Sequence, residues 1–172
     1  MDGEIVNRVA KSPIKTLDLE AHYPKGPRVG LDISQWLEEG LILREKPFRE
    51  ALKAEDWESY TGARIHLYCS TDAVVPAWAY MLITSHLQPF AGTVVVGSAE
   101  LLETVLFQEA IKAIDPEEYQ DKPVIIKGCS HLPVPTSAYV MALSHIREAA
   151  RSIQYGEACS AVPLFKKPRK KA

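Results

Sequence analysis

From residue 61 onward, short apolar runs alternate with stretches of helical period, and no other feature narrows the possible folds as much. Residues 63–68, 93–96, 123–127 and 152–158 read as strands. Helices are predicted between them over 76–87, 99–113 and 135–150. The middle helix has Ser98 as N-cap and apolar residues at 101, 102, 105, 106, 110 and 111. Strand alternating with helix is the pattern of an α/β fold: a mainly parallel sheet with helices on both faces, in three layers, joined by right-handed crossovers. The common order for about four such strands is 2-1-3-4, which makes the first and third strands neighbours. Ligands of such sheets bind beyond the carboxyl ends of the strands.

The first 60 residues are less regular. Residues 14–19 alternate apolar and polar and predict a short strand. Tyr23-Pro24-Lys25-Gly26-Pro27 is turn material. Asp32 is placed to cap a short helix over 33–39, with Gly40 at its C′ position, and 41–43 is a short apolar strand candidate. Pro47 suits the first turn of a helix that runs on through 48–55. Residues 1–60 are therefore expected to form an arm or cover on a body of residues 61–165, with a basic tail at 166–172. No linker composition divides them, so residues 1–172 are expected to be one domain. A chain of 172 residues with 47% hydrophobic side chains has enough apolar surface for a core without staples.

A net charge of −2 creates no global field toward nucleic acid or an anionic membrane. The basic run Lys166-Lys167-Pro168-Arg169-Lys170-Lys171 reads as a solvated terminus. Met1-Asp2-Gly3-Glu4 is acidic and no apolar leader follows it; no apolar run reaches the ~20 residues of a membrane helix. The expected location is the cytoplasm, where three cysteines do not form a disulfide framework. There is no Walker A loop, no Gly-x-Gly-x-x-Gly and no Gly-x-Ser-x-Gly, so nucleotide binding and serine hydrolysis have no motif behind them.

The cysteines carry the site hypothesis. Cys69, Cys129 and Cys159 each end or follow a predicted strand, and each is followed by serine and then, after a spacer, by Val-Pro. The first two copies, Val75-Pro76-Ala77-Trp78-Ala79-Tyr80 and Val134-Pro135-Thr136-Ser137-Ala138-Tyr139, run on into helices. A loop entering a helix N-terminus favours thiolate over thiol, because free N–H groups and the dipole face it. Strands lie ~4.8 Å apart, so thiolates on neighbouring strand ends are within reach of one ion. Cys69, Cys129, Cys159 and His131 would close a zinc site, and three cysteines alone would leave an open corner on zinc or on an iron–sulfur cluster. Ser70, Ser130 and Ser160 are placed to donate to sulfur, and Asp72 to orient a ligand. Against this stand three other readings: a persulfide or redox thiol, a Cys–His acyl-transfer pair with His131 or His66, and inert buried thiols in an adaptor.

Val75-Pro76-Ala77-Trp78-Ala79-Tyr80-Met81-Leu82 and Tyr155-Gly156-Glu157-Ala158-Cys159-Ser160-Ala161-Val162-Pro163-Leu164 resemble an uncharacterised bacterial family, domain of unknown function 2480. Glu4-Ile5-Val6-Asn7-Arg8-Val9 and Glu103-Thr104-Val105-Leu106-Phe107-Gln108-Glu109 extend the resemblance over nearly the whole chain. The resemblance supplies no activity and no catalytic residue. It implies partners among iron–sulfur assembly proteins, through genes that lie near a sulfur-mobilisation system, and so favours cluster or sulfur handling over zinc. A dimer is compatible with this reading, with the arm as one candidate contact.

Overall fold

The computed structural model describes residues 14–128, 131–157 and 160–168, a mixed α/β protein with two sheets. Its strands are β1 (Lys15–Asp18), β2 (Arg28–Asp32), β3 (Arg64–Tyr68), β4 (Thr93–Val96), β5 (Pro123–Lys127), β6 (Ser152–Tyr155) and β7 (Val162–Lys166). Its helices are α1 (Glu45–Ala54), α2 (Ala77–Leu87), α3 (Ala99–Lys112) and α4 (Thr136–Ile146). The expected single sheet of order 2-1-3-4 is not formed. The strand orders are β2-β3-β4 and β1-β5-β6-β7, so β3 and β5, expected as neighbours, lie in different sheets. The chain divides into two compact units, Lys25–Leu106 and Met1–Pro24 with Phe107–Ala172.

In the unit of residues 25–106, β2, β3 and β4 are all parallel, with Asp32 opposite Tyr68 and Val96 opposite Leu67. Alternation sends Ile65 and Leu67 to one face, where both are fully buried with Leu31 and Ala63. Phe48 and Leu52 from α1 and Ala79, Ile83 and Leu87 from α2 cover them. Each helix presents positions i and i+4 to the sheet, the spacing of one helical face. Trp57 closes the core and donates its indole N–H to the Leu52 carbonyl at 2.7 Å.

In the other unit, β1, β5 and β6 are parallel and β7 is antiparallel to β6. Leu17, Val124, Ile126 and Ile153 are buried under Phe107 and Ile111 of α3 and Ala138, Ala142 and Ile146 of α4. Residues 14–60, expected as an arm or cover, thus supply an edge strand to each sheet. Arg28–Asp32 and Val162–Lys166 are strands that the sequence reading did not find. The stretch 41–43 makes a single bridge, Glu38 to Ile42, and no strand. The helix expected at 33–39 is a 3₁₀ turn, Ile33–Trp36, capped by Asp32 as expected.

The two units are copies of one design. A shift of 59 positions carries the 3₁₀ turn Trp57–Tyr60 onto Pro116–Tyr119, β3 onto β5, α2 onto α4 and β4 onto β6, end for end and without a gap. The same shift carries Phe48 onto Phe107 and Leu52 onto Ile111, so the second half of α3 serves its unit as α1 serves the other. Backbone hydrogen bonds repeat too: Gly97 to Leu67 becomes Gly156 to Ile126, and Gly62 to Phe90 becomes Asp121 to Ala149. Gly62 and Asp121 are both left-handed, at φ 74° and 53°. Identical residues at equivalent places include Tyr60 and Tyr119, Ala79 and Ala138, Tyr80 and Tyr139, and His86 and His145. The first strands, β1 and β2, precede both repeats, so one unit is inserted between β1 and the rest of the other.

Among the described residues no helix is long and apolar enough to cross a membrane. Phe48 and Phe107 are equivalent, fully buried anchors, and truncation of either to alanine is expected to cost about 3–5 kcal/mol. Urea unfolding followed by circular dichroism measures this for each variant.

Candidate functional site

The carboxyl ends of the parallel strands are built alike in the two units, around an aspartate. In residues 25–106 that residue is Asp32, last in β2 and paired with Tyr68. Asp32 Oδ1 accepts the backbone N–H of Ser34 at 3.0 Å and that of Ser70 at 3.0 Å. The Ser34 and Ser70 hydroxyls are 3.1 Å apart. Burial pushes the Asp32 carboxyl up, but hydrogen bonds from Ser70 and Ser34 outweigh it and hold the group at about 2. The carboxylate therefore ties the residue after Cys69 to the end of the neighbouring strand.

Cys69 is half-buried and packs against the same core as Ile65 and Leu67, whose parity it shares. Its Sγ lies 3.4 Å from Thr71 Oγ1, and Thr71 donates its one hydroxyl proton to the Gly40 carbonyl at 2.5 Å. With that proton committed, the sulfur is the donor in the Cys69–Thr71 contact. Tyr80 faces the same place: burial first, and Cys69 second, push its phenol up. Asp72, expected to orient a ligand at Cys69, is exposed and lines an open groove of about 630 Å³ with Leu41, Ile42, Val74 and Trp78. His66 lies over Gly30 and stacks on Tyr68 with ring centroids 5.3 Å apart, and its Nδ1 is 3.1 Å from the Gly97 carbonyl.

In the other unit Asp18 ends β1, opposite Lys127. Its Oδ1 accepts the Glu20 N–H at 3.0 Å, as Asp32 accepts Ser34, and its Oδ2 is 3.2 Å from Lys127 Nζ. The hydrogen bond and charge of Asp18, then Glu157 and Glu20, hold the Lys127 ammonium above its ordinary range. Glu20 Oε1 accepts the backbone N–H of His131 at 3.0 Å and so ties His131 to the turn after β1. Ser160 N–H donates to the Glu157 carbonyl at 2.9 Å. A Cβ on Gly128 would sit 3.0 Å from Tyr139 Oη and 3.3 Å from Leu19 Cβ, so this place has little room for a side chain.

Cys129, Ser130 and Cys159 lie outside the described residues. Cys69 and Cys129 follow strands of different sheets, which removes the expectation that they sit on neighbouring strand ends. Cys129 and Cys159 follow β5 and β6, which are neighbours and parallel. The Cys-Ser copies are not equivalent in the repeat: the shift that superposes the strands sets Gly128 opposite Cys69, and Cys129 opposite Ser70. The third Val-Pro opens a strand, β7, and no helix. Among the described residues no three His, Cys, Asp or Glu side chains are grouped to hold a metal ion. Asp18 and Glu20 were not singled out in the sequence; the signal was an acid closing an alternating run, with a 3₁₀ turn behind it.

Two units of mainly parallel strands, each with a helix-covered face and an aspartate-tied rim, define an α/β protein of repeated architecture. The family model described as "Protein of unknown function (DUF2480)" matches residues 3–167, and the chain belongs to that family. No curated protein and no solved structure matches it.

The depressed Asp32 carboxyl is a stability contribution present above about pH 4 and lost as pH falls from 3.8 toward 2. Asp32→Asn is expected to lower the unfolding midpoint at neutral pH and to flatten the acid limb in that window. Denaturant unfolding at a series of pH values, wild type against variant, checks both.

Proposed function

We propose that this chain is a metal- or iron–sulfur-cluster-binding accessory protein whose thiolates come from the ends of parallel strands, Cys129 and Cys159 foremost. One observation carries the reading: β5 and β6 are hydrogen-bonded parallel neighbours, and Cys129 and Cys159 follow them within four residues. Two sulfurs on one zinc lie within ~4.6 Å, twice a ~2.3 Å bond, and neighbouring strands are ~4.8 Å apart. His131, whose backbone N–H Glu20 accepts, is the nearest further ligand in sequence. Ser130 and Ser160 follow the two cysteines and would donate to sulfur. Asp72 follows Cys69 in the other unit, where it is exposed.

Cys69 is the weakest member of the expected trio, since its sulfur donates to Thr71 and packs with the core. The class of partner that fits is an iron–sulfur assembly protein in the cytoplasm, and the net charge of −2 gives no pull toward nucleic acid. The site's role in this reading is to hold or pass on a metal or cluster.

Anaerobic purification followed by metal and acid-labile sulfide analysis tests the proposal. Iron with sulfide, or stoichiometric zinc, is expected in the wild type, lost in Cys129→Ser and Cys159→Ser and retained in Cys69→Ser. Absence of metal and sulfide in the wild type overturns it. Equal loss in all three cysteine variants would restore Cys69 to the ligand set.

A further inference from the structure

The edges of the two sheets differ in one respect that bears on assembly. Among the described residues four strands have a side with no neighbouring strand: β1 and β7 in one sheet, β2 and β4 in the other. Exposed edges invite pairing with another chain, and natural proteins blunt them with charges, proline or bulges. β1 has Lys15 and Asp18, β2 has Arg28 and Asp32, and β7 has Pro163 and Lys166. β4 is Thr93-Val94-Val95-Val96, with neither charge nor proline.

Among the described residues nothing pairs with its hydrogen-bonding groups on that side. Gly97 donates to Leu67 of β3. By alternation the N–H groups of Val96 and Val94 point away from β3. Among the described residues no backbone hydrogen bond reaches them from that direction. Val96 is 51% exposed. The internal repeat shows what such an edge accepts. The counterpart of β4 is β6, and β6 is covered by an antiparallel strand, β7, with Phe165 paired opposite Ile153. Ile153 is fully buried there, whereas its equivalent Val94 is only partly so.

We infer that β4 is the docking edge for a second copy of this chain, pairing β4 with β4 in antiparallel register about a two-fold axis. Identical strands related by a two-fold run antiparallel by necessity, which matches the β6–β7 precedent. An uncharged β-branched strand is also complementary to itself, with no like charges brought face to face. The pairing would join two three-stranded sheets into one continuous sheet and leave no unblunted edge. It is independent of the thiolate proposal.

Sedimentation velocity of the full chain, from micromolar to millimolar, tests this. A reversible dimer is expected. Val96→Lys puts a charge into the apolar seam from each copy, and Val96→Pro removes an outward N–H; each should weaken dimerisation at least ~10-fold. Val140→Lys, at a 63% exposed position on α4, should leave it unchanged. Circular dichroism verifies that each variant is folded, and Val96→Lys suffices if the proline variant is not. A wild type that stays monomeric throughout overturns the inference, as does a dimer indifferent to both Val96 substitutions.

Discussion

Parallel strands cannot be joined by a tight turn, and each connection must travel back along the sheet. In this chain that constraint does double duty, because the returning segment is also what buries the sheet's apolar face. Ile65 and Leu67 disappear beneath α1 and α2, and Val124 and Ile126 beneath α3 and α4. Remove the covering helix and the stripe would face water; remove the stripe and the helix would have nothing to pack on. The loose rule on connection length also explains the chain order. The cost of closing a loop grows only slowly with its length, so the return from β1 to β5 tolerates a complete second unit within it.

The repeat shows which parts of the design are constrained by packing. Equivalent positions that agree, such as Phe48 with Phe107 and Ala79 with Ala138, lie in the two cores. Left-handed residues recur at the turn before the second strand, glycine in one unit and aspartate in the other. The sheet edges do not repeat. β6 acquired β7 as a neighbour, while β4 leads through Gly97 straight into α3. Divergence at an edge costs little folding energy within the unit, because no core residue is displaced.

Much of the local structure was legible, since period and caps are local signals. The strands at 64–68, 93–96 and 123–127 and the helices α1 to α3 lie within a few residues of the expected runs, while the helix expected over 135–150 ends at Ile146 and the strand expected over 152–158 ends at Tyr155. What failed was non-local. Strand order depends on which stripes find a helix to cover them, and no short window of sequence contains that. β2 was missed because Gly30 interrupts a run bounded by Arg28 and Asp32, yet Gly30 is what lets the His66 ring lie on the strand: a Cβ there would be 2.7 Å from His66 Nε2. β7 was missed because Pro163 reads against a strand, and an edge position is where a strand tolerates proline.

The three Cys-Ser copies were the most persuasive sequence signal and the one that the fold most changes. Matching them by their cysteines requires a one-residue gap, whereas matching the strands and helices requires none. A one-residue slip moves a side chain to the opposite parity of a strand. The position directly after the strand is a packing position in both units, filled by Cys69 beside Tyr80 in one and by Gly128 against Tyr139 in the other. The next position is the one whose backbone Asp32 holds in the first unit, through Ser70. There the two halves of the sequence differ in chemical type, a hydroxyl at Ser70 and a thiol at Cys129. Two rims of one design thus carry different donors, which is why the thiolate reading rests on one unit and not on a set shared by three equivalent motifs.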